Sequence, residues 1–428
     1  ANAEIGWKSM IYLTATGRND WDSRLAFSDY KSFFYPSIGL SAILTSMFNA
    51  PDWLTYLKVR GSYTEVGNSY GRFMTTVTYP YDEQTQSWTS TSSYPNTKLK
   101  PERTKSWEVG LDARILNDIS LNLTYYRSNT YNQTFYADLS LSSGYSNIPI
   151  QSGNIMNEGL EMSLGYNKQW KDFSFNTNYT LTWNKNRVKR LADGVYNYAT
   201  GQPIQMPELS PLTYGHTDAR LILRVGGSMG DVYGQRLLKR DLNGYILNEE
   251  GVGLAMENKE TYLGSILPKM NMGWSLGFGY KGVNLGMTFT GRFGGIVISE
   301  TQSVLDAAGV SKVSADVRDA GGVQINQSKV SAQTYYQTIQ GTAAYYTYSA
   351  TNVRLGELSL SYTLPKKWFD NKVGMTVGLV GKNLWMIYCK APFDPELTTS
   401  AASNFYQGFD AYMLPSTRNF GFNVKFQF

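Results

Sequence analysis

The sequence predicts an all-β chain, an antiparallel transmembrane β-barrel wall of 12 to 14 strands with long extracellular loops and short periplasmic turns. Three observations carry this expectation. Stretches of about ten residues alternate apolar with small or polar side chains, the period-2 signature of strands with one apolar face. The connections between them alternate between short and long. The polar face is mostly Gly, Ser, Thr and Asn, which suits a wet lumen better than the Lys- and Glu-rich outside of a soluble sandwich.

The strands can be taken in order. At 5–15, Ile5, Trp7, Ile11, Leu13 and Ala15 share a face, opposed by Gly6, Lys8, Tyr12 and Thr14. Ile38, Leu40, Ala42 and Leu44 alternate with Gly39 and Ser41, and Leu57, Val59, Gly61 and Tyr63 with Lys58, Arg60 and Ser62. Trp107, Val109, Leu111, Ala113 and Ile115 oppose Ser106, Glu108, Asp112 and Arg114. Ile119, Leu121, Leu123 and Tyr125 follow, then Leu160 to Tyr166 and Phe173 to Trp183, each alternating in the same way. Later strands are read at 270–280, 283–290, 358–364, 373–379 and 420–428. That makes twelve. A further pair at 220–225 and 231–237, inside the long connection 185–267, would make fourteen, the preferred count. Trp7, Trp53, Trp107, Trp170, Trp183, Trp274, Trp368 and Trp385 flank the strands, as an interfacial belt would.

Composition removes several function classes. One His and one Cys in 428 residues exclude a His/Cys zinc site and any disulfide framework. No metal or other cofactor is expected. His216 is read as a loop histidine and Cys389 as an inert, partly buried thiol. The net charge is +5, but the basic residues are scattered, so nucleic acid is not expected as a partner. No run approaches the ~18 apolar residues of a membrane helix. No signal peptide is read ahead of the patterned sequence that Ala1 opens. Asp241-Leu242-Asn243-Gly244 begins like a calcium loop but lacks its later ligands, so a turn is the better reading.

Several motifs, in order, resemble the SusC/RagA family of TonB-dependent outer-membrane transporters. They run from Phe34-Tyr35-Pro36-Ser37-Ile38-Gly39 through Leu57 to Tyr63, Val66-Gly67-Asn68, Leu99-Lys100-Pro101-Glu102 and Asn157 to Glu161. They continue with Val353 to Pro365, Gly381-Lys382-Asn383-Leu384-Trp385, Asp394-Pro395-Glu396 and Pro415 to Arg418. The resemblance implies a 22-stranded barrel with an internal plug, of which this chain, 1–428, is the C-terminal portion; the plug and first strands are absent from it. It implies a SusD-like surface lipoprotein as lid, TonB contacted through the absent N-terminal part, and the barrel-assembly machinery and outer-membrane lipid as further partners. The expected activity is energised import of oligosaccharide, with oligopeptide as the other cargo class. A passive, plugless porin is the alternative. An enzyme is not expected, since the single His lies in a loop without a nucleophile pattern.

Candidate residues follow from this picture. Loop aromatics Tyr70, Trp88, Tyr94, Tyr196, Tyr198, Tyr335, Tyr336, Tyr345, Tyr346, Phe405, Tyr406 and Phe409 could stack on sugar rings or peptide side chains, or pack loop against loop or partner. Arg60, Glu108, Asp112, Arg114, Glu161 and Arg292 are lumen candidates for plug or solute, with ion pairing along the wall as the alternative. Phe428, closing an alternating aromatic strand, resembles an assembly signal.

Overall fold

A computed structural model describes residues 1–151, 153–191, 208–249, 253–397, 399–400 and 404–428. Among these, a 13-stranded sheet takes its strands in chain order. They are β1 (Asn2–Trp7), β2 (Ile11–Trp21), β3 (Ser32–Ile43), β4 (Leu54–Asn68), β5 (Glu102–Ile115), β6 (Ile119–Tyr131) and β7 (Asn154–Trp170). The rest are β8 (Phe173–Arg190), β9 (Met270–Tyr280), β10 (Val283–Phe293), β11 (Asn352–Leu364), β12 (Gly374–Cys389) and β13 (Asn419–Gln427). The pairings from β1 through β8 and from β10 through β13 are antiparallel.

The expected count is twelve or fourteen; the sheet has thirteen strands, and neither expected route leads there. Residues 5–15 form two strands. Lys8 (φ 49°) and Ser9 (φ 54°) turn the chain back on itself, and the Met10 N–H donates to Trp7 O at 2.9 Å. Consecutive positive φ values match the right-handed twist of a hairpin. The turn escaped notice because Trp7 and Ile11 are an even number of residues apart, so the alternation passes through it unbroken. The proposed pair 220–225 and 231–237 does pair, with Leu221 opposite Val232, but in a separate four-stranded sheet. Leu221, Ile222 and Leu223 are all buried. Burial on both sides marks a strand of a protein core, not one with a lipid face.

The chain divides into two compact units. The first comprises Ala1–Pro211, Leu223–Met229 and Met272–Lys281. Its strands register in rows, and Val59, Leu111, Leu123, Met162 and Leu181 are successive partners on one face. Gly61, Val109, Tyr125, Leu160 and Trp183 form the next row. This apolar face is open: Ile5 is 66% exposed, Leu40 54% and Val109 56%. Above β2, Asp22 caps the turn Ser23–Leu25 and accepts from the Arg24 N–H at 2.9 Å, from its guanidinium and from the Ser69 hydroxyl. Leu25, Phe33, Tyr70 and Leu99 pack beneath it.

The hydrogen bonds from Arg24 and then Ser69 hold the Asp22 carboxyl well below the usual carboxylate range. A group depressed in the folded state stabilises above its unfolded pKa, about 3.9, and that contribution fades as pH falls further. Proteolytic nicking of 22–31 should therefore rise on acidification below about pH 4, and Asp22→Asn should be nicked readily at neutral pH too, with little further rise. Equal nicking of both forms at neutral pH would remove this role.

The second unit comprises Leu212–Ile222, Gly230–Asn271 and Gly282–Phe428. Its sheet strands also expose apolar side chains, with Leu379 at 62% and Phe422 at 79%. In contrast, its long connections fold into a body with a core. Tyr214, Ala219, Leu221, Val232, Ile266, Ile298, Ala343 and Phe409 form one cluster. Leu238, Leu254, Ile325, Tyr336, Ile339 and Tyr346 form another. Three helices, α1 (Glu300–Ala307), α2 (Lys312–Asp319) and α3 (Ala332–Ile339), are each capped by a serine hydroxyl, of Ser299, Ser311 and Ser331. Asp218 ties the body together by accepting from the N–H groups of Gln235, Arg236 and Ala343. Asp241 accepts from the Asn243 and Tyr245 N–H groups at 2.8 and 2.9 Å, which closes the turn.

Gly215 sits at φ 52°, where an added Cβ would strike the Glu300 carboxylate and the Phe409 ring. Gly215→Ala should destabilise this body by about 1–3 kcal/mol, from overpacking and a left-handed backbone. Hydrogen exchange at Tyr214–Ala219 would show it, and unchanged protection would contradict the packing.

Candidate functional site

The polar face of the first unit carries the wall candidates. Lys58, Asp112, Asn122 and Ser163 form one row, and Arg60, Gly110, Thr124, Glu161 and Thr182 the next. Arg60 lies flat along this wall because Gly110 has no side chain: a Cβ there would collide with the guanidinium. Arg60 thereby donates to Thr124 Oγ1 at 2.7 Å and stands 3.6 Å from Asp112. Asp112 also accepts from the Asn122 amide. Arg114 lies over the Tyr56 ring, 5.8 Å from its centroid. Glu108 and Glu161 are exposed and have no ion-pair partner among the described residues. A shallow recess lined by Tyr12, Lys58, Arg60, Ser62 and Glu108 opens on this wall. Arg60 and Asp112 are thus partly committed to each other, while Glu108 and Glu161 remain free for a solute or a protein surface.

Arg292 is elsewhere, in the second unit. It donates to Ile266 O at 2.9 Å and its Nε is buried without a partner. Phe428 follows β13 and is almost fully exposed.

The loop aromatics separate into two groups. Tyr70, Tyr336, Tyr346 and Phe409 are buried in the loop cores, so their faces meet protein. Tyr335 and Tyr345 pack against the cluster of Tyr336 and Tyr346, and Phe405 and Tyr406 against that of Tyr214 and Phe409. Burial pushes the Tyr348 hydroxyl up to about 12, with Asp306 adding to the effect, and pushes Tyr214 and Tyr346 up as well. Trp88 is different. It is 71% exposed at the mouth of the small hairpin Tyr81–Asp82 and Ser87–Trp88, its ring 5.1 Å from Tyr81 and tilted by 59°. Tyr94 meets Tyr145 edge-on at 5.2 Å. Tyr196 and Tyr198 lie outside the described residues. Tyr81 was missed by sequence reasoning, although the polar turn Glu83-Gln84-Thr85-Gln86 between it and Trp88 was the available signal.

A second missed element explains two family-like motifs together. Arg354 grips Asp394 with both guanidinium nitrogens, at 2.8 and 2.9 Å, and lies 3.3 Å from Glu396. Asn352 accepts from Arg354 at 3.1 and 3.2 Å and donates to Glu396 at 3.1 Å. Burial opposes ionisation of Asp394, but the Arg354 bonds and the Glu396 N–H outweigh it and hold the carboxyl below its usual range. The register of β11 shifts around Gly356, which lies across from Asn383 (φ 53°) and Leu384 of β12, so the strand alternation changes phase there. That break hid residues 352–357 from a period-2 reading.

Residues 1–384 match the family described as TonB dependent receptor-like, beta-barrel. The TonB-dependent receptor P3 of Formosa agariphila is 25% identical over 98% of this chain and 44% of its own length. The TonB-dependent receptor SusC of Bacteroides thetaiotaomicron is 27% identical over 35% of this chain and 14% of its own. The RagAB peptide importer in its open-open state superposes with a TM-score of 0.72 at 21% identity, over 99% of this chain and 45% of that one. The chain spans less than half the length of the first relatives it matches.

Proposed function

The chain belongs to the TonB-dependent receptor-like β-barrel family, whose members are transporters and not enzymes, and from that premise we propose that it is the C-terminal barrel portion of an energised importer of large nutrients. The observation that carries this reading is the two-faced sheet, with exposed apolar rows on one side and a small, polar, partly charged wall on the other. In this reading the apolar rows lie in the bacterial outer membrane and the polar wall lines the conduit. Long connections face outward and short turns face the periplasm. A SusD-like lipoprotein holds cargo against the loops, and TonB acts through the portion of the protein that precedes this one. No bond in the cargo is made or broken.

Oligosaccharide is the favoured cargo. The exposed Trp88, with Tyr81 tilted beside it, offers the apolar face on which a sugar ring packs. Oligopeptide is the second reading, because the RagAB complex of similar fold is a peptide importer. Uptake of labelled oligosaccharide by cells carrying the full-length transporter should stop when the proton gradient is collapsed. Trp88→Ala should weaken capture about tenfold, roughly the loss of one stacked ring. Uptake that persists without the gradient would favour the passive porin. Energised uptake of peptides alone would move the cargo to the second reading.

A further inference from the structure

The apolar side of the first unit ends, toward the long loops, in an arc of cations. The row Tyr63, Trp107, Arg127, Glu158 and Lys185 lies just beyond Val109, Tyr125, Leu160 and Trp183 on the same face. The following row on that face is Glu65, Lys105, Asn129, Met156 and Arg187. Arg103 lies one step further along β5, and Lys189 stands exposed at the register shift of β8. Six cations therefore meet two carboxylates over strands β4 to β8.

The carboxylates are already engaged. Glu65 holds Arg103 at 3.2 Å and Lys105 at 3.3 Å, and Glu158 faces Lys185 at 3.8 Å. Arg127, Arg187 and Lys189 have no ion-pair or hydrogen-bond partner among the described residues. The arc is also local. Toward β3 and β2 the same face carries Ile38 and Ala15, then Pro36 and Gly17, without a cation. Generic interfacial solvation would not gather unpaired Arg and Lys on one stretch of wall.

We propose that this arc is a binding surface for an anionic glycolipid of the outer leaflet, its phosphate groups held by Arg127, Arg187 and Lys189 and its acyl chains laid along Val109, Tyr125, Leu160 and Trp183. The inference rests on the placement of the apolar band in the membrane. Two features support the choice of occupant. The arc is continuous with the apolar band, so a ligand carrying both acyl chains and phosphate satisfies both at once. Planar guanidinium groups match phosphate oxygens two at a time, and each cation near an anionic lipid surface adds to retention.

The test uses the full-length transporter in lipid nanodiscs. A bisphosphorylated glucosamine-disaccharide lipid is titrated in, alongside the same lipid after phosphatase treatment, and bound lipid is read by native mass spectrometry. The wild type should retain the phosphorylated lipid and release the dephosphorylated one. Replacing Arg127, Arg187 and Lys189 together by Ser should weaken retention by about fivefold for each cation removed. Arg127→Lys with Arg187→Lys keeps the charge, guards against misfolding and should retain most of the affinity. Equal retention of the two lipids, wild-type retention by the triple variant, or displacement by equimolar inorganic phosphate would each overturn the proposal. A transporter that stays dissolved without detergent would instead overturn the membrane reading beneath it.

Discussion

Leu181→Arg should cost about 2–4 kcal/mol of barrel stability, while Thr182→Arg, one residue along β8, should cost less than about 0.5 kcal/mol. Leu181 belongs to the central apolar row with Met162, Leu123 and Leu111. Thr182 lies on the opposite face, opposite Glu161, where a cation gains a partner. A guanidinium at Leu181 must be held in hydrocarbon, far from the water that the row's ends reach. The two variants carry the same charge at nearly the same depth, so their difference reports the face alone. Folding into vesicles, followed by urea unfolding, measures it. Equal costs, or the greater cost at Thr182, would mean that the apolar rows do not meet lipid.

The second large effect concerns Arg354. Arg354→Met removes the cation from a site where its side chain is 10% exposed and that of Asp394 8%. Asp394 is then left buried and unpaired, which costs about 3–5 kcal/mol. The penalty falls on the segment 390–397, which the pair ties to β11, so that segment should become protease-sensitive while the sheet remains intact. Adding Asp394→Leu to Arg354→Met should recover much of the loss, since an apolar pair needs no compensation. If the double variant is no better than the single, the loss comes from Arg354 packing and the ion-pair account is wrong.

Much of the sheet was legible because an apolar face and a polar face impose opposite chemistries on alternate residues. Twelve regions of the sheet, among them 106–115, 119–127 and 173–184, could be placed from that pattern. It failed where geometry preserved or broke the phase. The turn at Lys8-Ser9 preserved it and hid a strand, whereas the shift at Gly356 broke it and shortened one. The loops were illegible for another reason. Tyr336 and Tyr346 look in sequence like the exposed aromatics of a binding surface, yet they build a core among α3 and its neighbours. No local pattern distinguishes a tyrosine that meets solvent from one that meets Leu238. The cationic arc was hidden in the same way. Arg127 and Arg187 are far apart along the chain, and register alone brings them to one face, with Lys189 exposed at the register shift beside them.

The tight turns of the sheet carry a consequence for how the chain reaches its structure. β1–β2, β5–β6, β7–β8 and β9–β10 are hairpins joined by two or three residues, so their contacts lie close in sequence. Closing each costs little chain entropy, whereas joining one hairpin to the next across a long connection costs more. Nucleation therefore belongs to the hairpins, and zippering between them is the slow step. The body built around Tyr214, Ile298, Tyr346 and Phe409 buries its own core, so it can mature on its own schedule while neighbouring strands are still finding each other.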